Sequence, residues 1–167
     1  MANTYTLISS NTVGSGGAAS VTFSSIPATY TDLVVKASVR DNRSGIGSNT
    51  VLGFNGSTSN FTFTRIVGDG SGVTSDTTFG LAVVNGNTST SNTFANLEIY
   101  VSNYASSNYK SYSVDSVSEN NGTDAYQQLT SGLWSITTAI SSVNLYPSSG
   151  NNWMQHSTFY LYGIKNS

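Results

Sequence analysis

The side chains that could do chemistry are few, and the first to consider is the single histidine. His156 is the only histidine and the chain has no cysteine, so thiolate chemistry, disulfides and metal sites built from several histidines are excluded. A Ser-His-Asp hydrolase would have to use His156, but no Gly-x-Ser-x-Gly elbow leads into a helical segment. We therefore interpret His156 as a structural residue and expect a protein that is not an enzyme.

Eight carboxylates are the remaining candidates for acid–base chemistry or cation binding. A glycosidase needs two carboxylates that face each other, but most of those in this chain adjoin turn residues, where aspartate commonly caps the backbone. Asp69 and Asp76 flank a glycine-rich stretch and are a candidate calcium pair, although the EF-hand spacing is absent and an ordinary turn is favoured. We expect no metal and no cofactor. The eight are Asp32, Asp41, Asp69, Asp76, Glu98, Asp115, Glu119 and Asp124.

Aromatic side chains offer a different chemistry, which is stacking on sugar rings or packing between subunits. The chain has ten Tyr, seven Phe and two Trp. Tyrosine is favoured both in strands and at protein interfaces, so interface use is preferred here over a sugar-binding surface. The candidates for either role are Tyr100, Tyr104, Tyr109, Tyr112 and Trp153.

The charge content limits the classes of partner. Charged residues make up 8% of the chain and the net charge is −2, against about 25% charged residues in an ordinary soluble domain. Nucleic-acid binding needs clustered cations, and no run of like charges occurs. No apolar run approaches the ~20 residues of a membrane-spanning helix, and the N-terminus lacks the pattern of a signal peptide. We expect a protein made in the cytoplasm that binds neither nucleic acid nor membrane.

Strands must position these side chains, and the clearest pair lies between residues 18 and 40. Val21 and Phe23 alternate with hydroxyl residues, Pro27 ends the pairing, and Leu33 and Val35 begin a second, longer alternation. Similar alternations recur along the chain between Gly- and Asn-containing turns, whereas residues 41–49 and 67–77 are predicted to be loops and Gly132 a bulge. The predicted strands cover residues 4–8, 19–24, 33–40, 51–54, 61–66, 79–83, 97–101, 110–117, 126–134, 140–146 and 155–164.

About ten short strands at regular spacing are typical of an all-β sandwich or barrel. We predict one domain over residues 1–167, a jelly-roll-like sandwich of two antiparallel sheets, with residues 1–17 as an N-terminal arm or first strand. The predicted core consists of Val21, Phe23, Leu33, Val35, Ala37, Leu97, Ile99, Phe159 and Leu161.

Several segments carry a more specific signal. They read Tyr-Thr-Leu-Ile (5–8), Thr-Val-Gly-Ser-Gly-Gly (12–17), Phe-Ser-Ser-Ile-Pro-Ala-Thr-Tyr-Thr-Asp-Leu (23–33) and Phe-Tyr-Leu-Tyr-Gly-Ile-Lys (159–165). In these segments the chain resembles a recurrent family of bacteriophage virion proteins that is common in phages of aquatic bacteria, cyanophages included. The resemblance covers both ends, while residues 41–125 match no specific pattern. Its motifs are structural and bring no catalytic residue with them.

The resemblance implies a virion structural protein, and within virions we expect a capsid decoration or cement protein. Such a protein binds the major capsid protein on the outer shell and stabilises it. We expect a homotrimer on the capsid surface, assembled after synthesis in the host cytoplasm, with Tyr5, Leu7 and Ile8 as candidate capsid contacts. A host surface glycan is a candidate further ligand of the aromatic residues. A tail-fibre or receptor-binding protein, or a carbohydrate-binding sandwich, remains the alternative.

Overall fold

Short alternating segments become strands in the computed structural model, which describes residues 4–77, 80–119, 121–122 and 125–165. These residues form twelve strands and one 3₁₀ turn, Ser148–Gly150. The strands are β1 (Tyr5–Thr12), β2 (Val21–Phe23), β3 (Asp32–Val39), β4 (Gly47–Phe54), β5 (Phe61–Gly68), β6 (Val73–Asp76), β7 (Val83–Asn85), β8 (Ala95–Val101), β9 (Lys110–Glu119), β10 (Ala125–Trp134), β11 (Val143–Pro147) and β12 (Thr158–Ile164).

Strand pairing follows a nested pattern. The first strand pairs with the last, β2 pairs with β11, β3 with β8 and β4 with β7, and every pairing is antiparallel. The nested pairs form two sheets, because β12 also pairs with β3 and β11 also pairs with β4. This arrangement is the double Greek key of a jelly roll. The predicted jelly-roll-like sandwich of two antiparallel sheets is therefore confirmed.

Two insertions enlarge one of the sheets. The β5–β6 hairpin follows β4, the β9–β10 hairpin follows β8, and both join the sheet that contains β8. The result is an eight-stranded sheet in the order β1-β12-β3-β8-β9-β10-β5-β6 and a four-stranded sheet in the order β2-β11-β4-β7. We call the first four strands of the large sheet the jelly-roll half and the other four the added half.

The core lies between the two sheets. All nine predicted core residues are buried, which confirms the alternation from which they were inferred. Seven of them lie on the large sheet and share one buried cluster with Val21 and Phe23 of β2 and with other apolar residues of the small sheet, such as Leu52, Phe54 and Leu145. Each fully buried aliphatic or aromatic side chain of this kind contributes about 1.5–3 kcal/mol to folding, so the core is the main source of stability.

The inner face of the added half is different in character. A polar inner patch of four buried side chains, Ser116, Ser118, Gln128 and Thr130, faces the small sheet. The Gln128 amide donates hydrogen bonds to the carbonyls of Gly80 (2.9 Å) and Leu81 (2.8 Å). Because Leu81 and Ala82 exchange backbone hydrogen bonds with Thr50 of β4, these bonds join the added half to the small sheet and supplement the apolar contacts of Tyr112 and Trp134 with Phe54.

Several local predictions are wrong. The predicted loop 41–49 ends early because β4 begins at Gly47, and the predicted loop 67–77 contains β6. Asp69 accepts hydrogen bonds from the backbone N–H groups of Ser71 and Gly72, both at 3.0 Å, and this turn lets β6 pair with β5. The predicted strand 79–83 is largely irregular, with Phe79 outside the described residues. The predicted strands 140–146 and 155–164 begin only at 143 and 158.

The predicted bulge at Gly132 is also absent. Gly132 pairs in regular register with Tyr112 on β9 and Phe63 on β5. A Cβ atom at position 132 would lie 2.1 Å from the Tyr112 ring. Glycine is needed there because the tyrosine ring crosses the neighbouring backbone, not because the strand bends.

Candidate functional site

Three of the five candidate aromatic residues lie in the core. Trp153 is fully buried, donates from Nε1 to the carbonyl of Leu145 (3.1 Å), and packs edge-to-face on Phe159. Tyr104 is also fully buried, and its hydroxyl donates to the carbonyl of Pro27. Burial of both rings corrects the expectation that the five residues share one accessible surface.

Tyr112 is the third candidate aromatic residue that is buried. Its ring is buried against Phe54 and Phe61 in edge-to-face geometry, and this burial raises the pKa of Tyr112 to about 12. Only Tyr100 and Tyr109 keep accessible rings, with Tyr109 exposed just before β9 and Tyr100 half-buried on β8. The buried rings lie either at inward-facing strand positions or beneath loops. Their direction depends on how the strands pair, which the sequence alone does not reveal.

Tyr100 lies on the outer face of the large sheet, away from the core. Its hydroxyl donates to Asp32 Oδ2 (2.6 Å), and this hydrogen bond raises the pKa of Tyr100 to about 12. The other Asp32 oxygen accepts the backbone N–H of Asn103 at 2.8 Å. The Tyr100 hydroxyl is therefore committed to the fold, and its ring is the part that remains available to a ligand.

The candidate capsid contacts lie on β1, at one edge of the large sheet. Tyr5 is 50% exposed and Leu7 is 52% exposed, and the Tyr5 ring meets Tyr162 edge-to-face. Ile8 lies at a bulge between two registers and packs against the core. Among the described residues, β1 pairs only with β12. The structure thus brings Tyr5 and Leu7 to one surface and turns Ile8 away from it.

A depression of about 350 Å³ lies on the outer face, at the boundary of the two halves of the sheet. Two cross-strand rows of side chains line it. The first row passes in register from Glu98 on β8 to Asp115, Leu129 and Ile66 on β9, β10 and β5. The second row runs parallel to the first and consists of Tyr100, Ser113, Ser131 and Thr64. We call this site the outer-face depression.

The charges of the outer-face depression are only partly compensated. Lys36, opposite Glu98 on β3, forms an ion pair with Glu98 Oε2 at 2.7 Å. The hydrogen bond to Glu98 raises the pKa of Lys36. Asp115 is exposed and has neither a hydrogen bond nor an ion pair with any described side chain. The site therefore presents two carboxylates in direct cross-strand opposition, with one cation beside them.

Sequence reasoning counted Glu98 and Asp115 among eight carboxylates but did not pair them. The alternation within β8 and β9 shows that both point away from the core, which is a readable signal. Their opposition depends on the register between two strands, which alternation leaves open. The exposed apolar residues Leu129 (46%) and Ile66 (49%) were also missed.

The other polar candidates have local roles. Asp69 accepts the Ser71 hydroxyl at 2.8 Å in its turn, and Arg65 holds Asp76 through two contacts at 2.7 and 3.2 Å. His156 is exposed in the turn before β12, with a φ of 73°. Within the described ranges, no group of three or more His, Asp or Glu side chains is placed to hold a metal ion.

A second depression, of about 360 Å³, lies beside β4 and β5. It contains two arginines, Arg43 and Arg65, together with Tyr126. Arg65 is paired with Asp76, and Arg43 donates to the carbonyl of Gly47 at 2.9 Å. This site differs in sign from the outer-face depression and provides a comparison for it.

Comparison of the chain with known protein families, curated proteins and solved structures returned no match. In the part of the chain that the structure describes, no helix has the length and apolar character to cross a bilayer. The surfaces themselves are therefore the basis for a functional proposal.

Proposed function

We propose that the protein is a bacteriophage virion structural protein, a capsid decoration or cement protein that docks through strand β1. Three observations support the proposal: the resemblance at both ends of the chain, the jelly-roll sandwich, and the uncharged, partly apolar β1 edge. The single observation that carries it is the last. Eight successive residues without a charge or a proline form this edge, and Tyr5 and Leu7 stand half-exposed on it.

The β1 edge has the properties of a surface that pairs with another chain. An edge strand presents unpaired N–H and C=O groups, and proteins usually protect such edges with charges, prolines, bulges or short strands. β1 has one bulge, after Leu7, and no other protection of this kind. Partners commonly bind such edges by adding a strand, with apolar side chains giving further affinity. A segment of the major capsid protein in extended conformation is the partner that this surface would accept.

We further propose that the protein acts as a homotrimer on the shell. Three copies around a symmetry axis multiply weak contacts, because the second and third contacts form at high effective concentration. A surface with few charges favours such packing, since desolvating hydroxyls and rings costs less than desolvating ions. Attachment would then depend only weakly on salt, because little of it is electrostatic.

Reconstitution of particles tests the proposal. Particles of a phage that encodes the chain are prepared without it, and purified protein is added back and located by electron microscopy and immunogold labelling. We expect labelling over the whole capsid, and we expect Leu7→Lys to lower occupancy at least about tenfold by placing a charge in the contact. Val73→Lys is the matched control, because Val73 is 75% exposed on β6, the opposite edge of the same sheet.

Two results would contradict the proposal. Label confined to the tail tip, with bare capsids, would favour the receptor-binding alternative. Equal loss of occupancy with the Leu7 and Val73 variants, at unchanged melting temperature, would remove β1 as the docking edge.

A further inference from the structure

We propose that the outer-face depression binds a neutral saccharide. In this assignment a sugar ring packs on Leu129, Ile66 and the Tyr100 ring, and sugar hydroxyls donate hydrogen bonds to Asp115. The site is separate from the β1 edge, because β8, its nearest strand, lies three strands from β1, about 14 Å away at the usual strand spacing. The inference therefore goes beyond the proposed function and can hold whether or not β1 docks on a capsid.

The first argument is the unexplained placement of charge. Like charges directly opposite each other on neighbouring strands destabilise a sheet, and Glu98 and Asp115 are such a pair. Lys36 offsets Glu98 but makes no contact that holds Asp115. No described residue forms a hydrogen bond or ion pair with the Asp115 carboxylate, so an acceptor on an exposed sheet is kept at some cost to stability. The Asp115 carboxylate is therefore available to accept a hydrogen bond from a ligand.

The second argument is the division of the site into polar and apolar parts. A pyranose has hydroxyls around its edge and apolar C–H groups on its faces. The row that ends in Leu129 and Ile66 offers half-exposed apolar side chains, while Asp115, Ser113 and Ser131 offer hydrogen-bonding groups within the same depression. Its volume of about 350 Å³ falls within the range of about 300–1,000 Å³ that is usual for ligand sites.

The third argument concerns the charge of the ligand. An acidic sugar would bring a third negative charge beside Glu98 and Asp115, which Lys36 alone does not offset. A simple cation would be attracted by the two carboxylates but would leave Leu129 and Ile66 exposed to water. A neutral polyhydroxylated ring satisfies both the acceptors and the apolar side chains. The residues therefore select neutral saccharides over the other classes.

The roles within the site follow from the contacts. Tyr100 acts through its ring only, because its hydroxyl is bound to Asp32. Glu98 is held in place by Lys36 and positions one wall of the depression. Asp115 is the free acceptor. It is also the residue whose change should weaken binding without destabilising the fold, because no described side chain depends on it.

Labelled protein applied to an array of immobilised neutral, sialylated and uronic-acid oligosaccharides provides the test. We expect retention on neutral oligosaccharides, and titration calorimetry on the best of them should give a measurable dissociation constant. Asp115→Asn should weaken this binding about tenfold, because a charge-assisted hydrogen bond becomes a neutral one. Leu129→Ala should weaken it severalfold. Asp69→Asn, a matched change at an exposed carboxylate outside the depression, should leave it unchanged.

Three results would overturn the assignment. The first is an array without retention on any neutral oligosaccharide. The second is equal weakening by the Asp115 and Asp69 variants, which would indicate a general charge effect. The third is retention on acidic oligosaccharides alone that is lost in Arg43→Gln, which would move the site to the second depression. Melting temperatures of all variants separate loss of binding from loss of fold.

Discussion

In the jelly-roll half of the large sheet the side chains that face the small sheet are apolar, such as Val35, Ile99 and Leu161. In the added half they include the hydroxyls and amide of the polar inner patch. The two halves also differ at their outer edges. β1 is long, uncharged and carries exposed Tyr5 and Leu7, whereas β6 has four residues and ends at Asp76, which is paired with Arg65. The two halves of one continuous sheet thus differ both in the side chains that contact the small sheet and in the protection of their outer edges.

The difference separates two kinds of stabilisation. Apolar burial is non-directional and proportional to area, so the jelly-roll half needs only side chains of suitable size. Hydrogen bonds across the added half are directional, and leaving one buried group unpaired costs about 1–3 kcal/mol. Three oxygens of the patch, Ser116 Oγ, Ser118 Oγ and Gln128 Oε1, have no protein partner among the described residues. We therefore expect the added half to open more easily than the jelly-roll half.

The largest effect is expected from Phe159→Ala in the jelly-roll half. Phe159 is fully buried against Trp153, and its truncation leaves a cavity between the sheets. We expect a loss of about 3–5 kcal/mol in the free energy of unfolding, measured by urea denaturation. Tyr160→Ala is the matched control, because Tyr160 is the next residue on β12 and faces outward. Similar losses for both variants would contradict the placement of the core.

A smaller and more local effect is expected from Gln128→Ala in the added half. The change removes the amide that donates to Gly80 and Leu81. The Gly80 carbonyl then loses its hydrogen bond, at a cost of about 1–3 kcal/mol, whereas the Leu81 carbonyl still accepts the Thr130 hydroxyl at 2.9 Å. Native-state hydrogen exchange should show faster exchange in β9 and β10 and unchanged protection in β3 and β12. Gln127→Ala, at the adjacent exposed position, should change neither. Uniform acceleration throughout both halves would show that they unfold as one unit and would end the distinction between them.

Asp41→Asn tests a buried charge beside β7, the small-sheet strand that packs on the added half. Burial raises the pKa of Asp41. Its Oδ2 has no hydrogen-bond partner among the residues that the structure describes, while Oδ1 accepts the Arg43 N–H at 3.1 Å. The asparagine keeps that acceptor and removes the buried charge. We expect about 1 kcal/mol of stabilisation at pH 7, the usual scale of one hydrogen bond, measured by urea denaturation.

The pH dependence of this effect has a definite sign. A carboxyl whose pKa is higher in the folded than in the unfolded chain stabilises the fold when protonated. That stability is lost as the pH rises through the folded pKa. The advantage of Asp41→Asn should therefore shrink as the pH is lowered toward 4. Asp69, whose pKa is lowered by its hydrogen bonds with Ser71 and Gly72, should show the opposite sign, with stability lost on acidification. An advantage of Asp41→Asn that does not change with pH would contradict a buried charge as its cause.

The two halves of the large sheet were not equally predictable from the sequence. Strict alternation in segments such as Leu33 to Val39 and Leu97 to Val101 marked the apolar inner face, so the core and the two-sheet sandwich were predictable. Tyr112 and Val114 mark the inner face of β9 up to Asp115, but beyond this point, and over the first part of β10, polar residues occupy both faces. The short β6 has no apolar alternation at all. The polar inner patch was therefore not predictable from residue types.

The candidate site was less predictable than the fold, and the reason is register. The outward direction of Glu98 and Asp115 follows from their own strands, but their opposition requires that β8 and β9 pair without a shift. Burial of Tyr104 and Trp153 depends on loops that cover them, which no local pattern encodes. Tyr5, Leu7 and Ile8 were grouped as candidate capsid contacts by their place in the N-terminal segment, but the turn of Ile8 toward the core depends on a bulge.

The smallest effect is expected on the outer face, where the halves meet. Asp115→Asn removes one of two opposed carboxylates, and relief of the repulsion should stabilise the protein by about 0.2–1 kcal/mol. Urea denaturation at low ionic strength measures the change, which should decrease at 1 M salt, where the screening length is about 3 Å.

A double-mutant cycle with Glu98→Gln isolates the repulsion from the loss of the Lys36 ion pair. Asp115→Asn should stabilise the parent chain but have little effect when position 98 is already neutral, and the difference is the coupling between the two carboxylates. Equal stabilisation in both backgrounds would show that Asp115 does not interact with Glu98. The stabilisation would then come from a change in the solvation of residue 115. A coupling that disappears in salt, together with weaker saccharide binding by the stabilised variant, would show that stability is reduced at this boundary in order to keep an acceptor for a ligand.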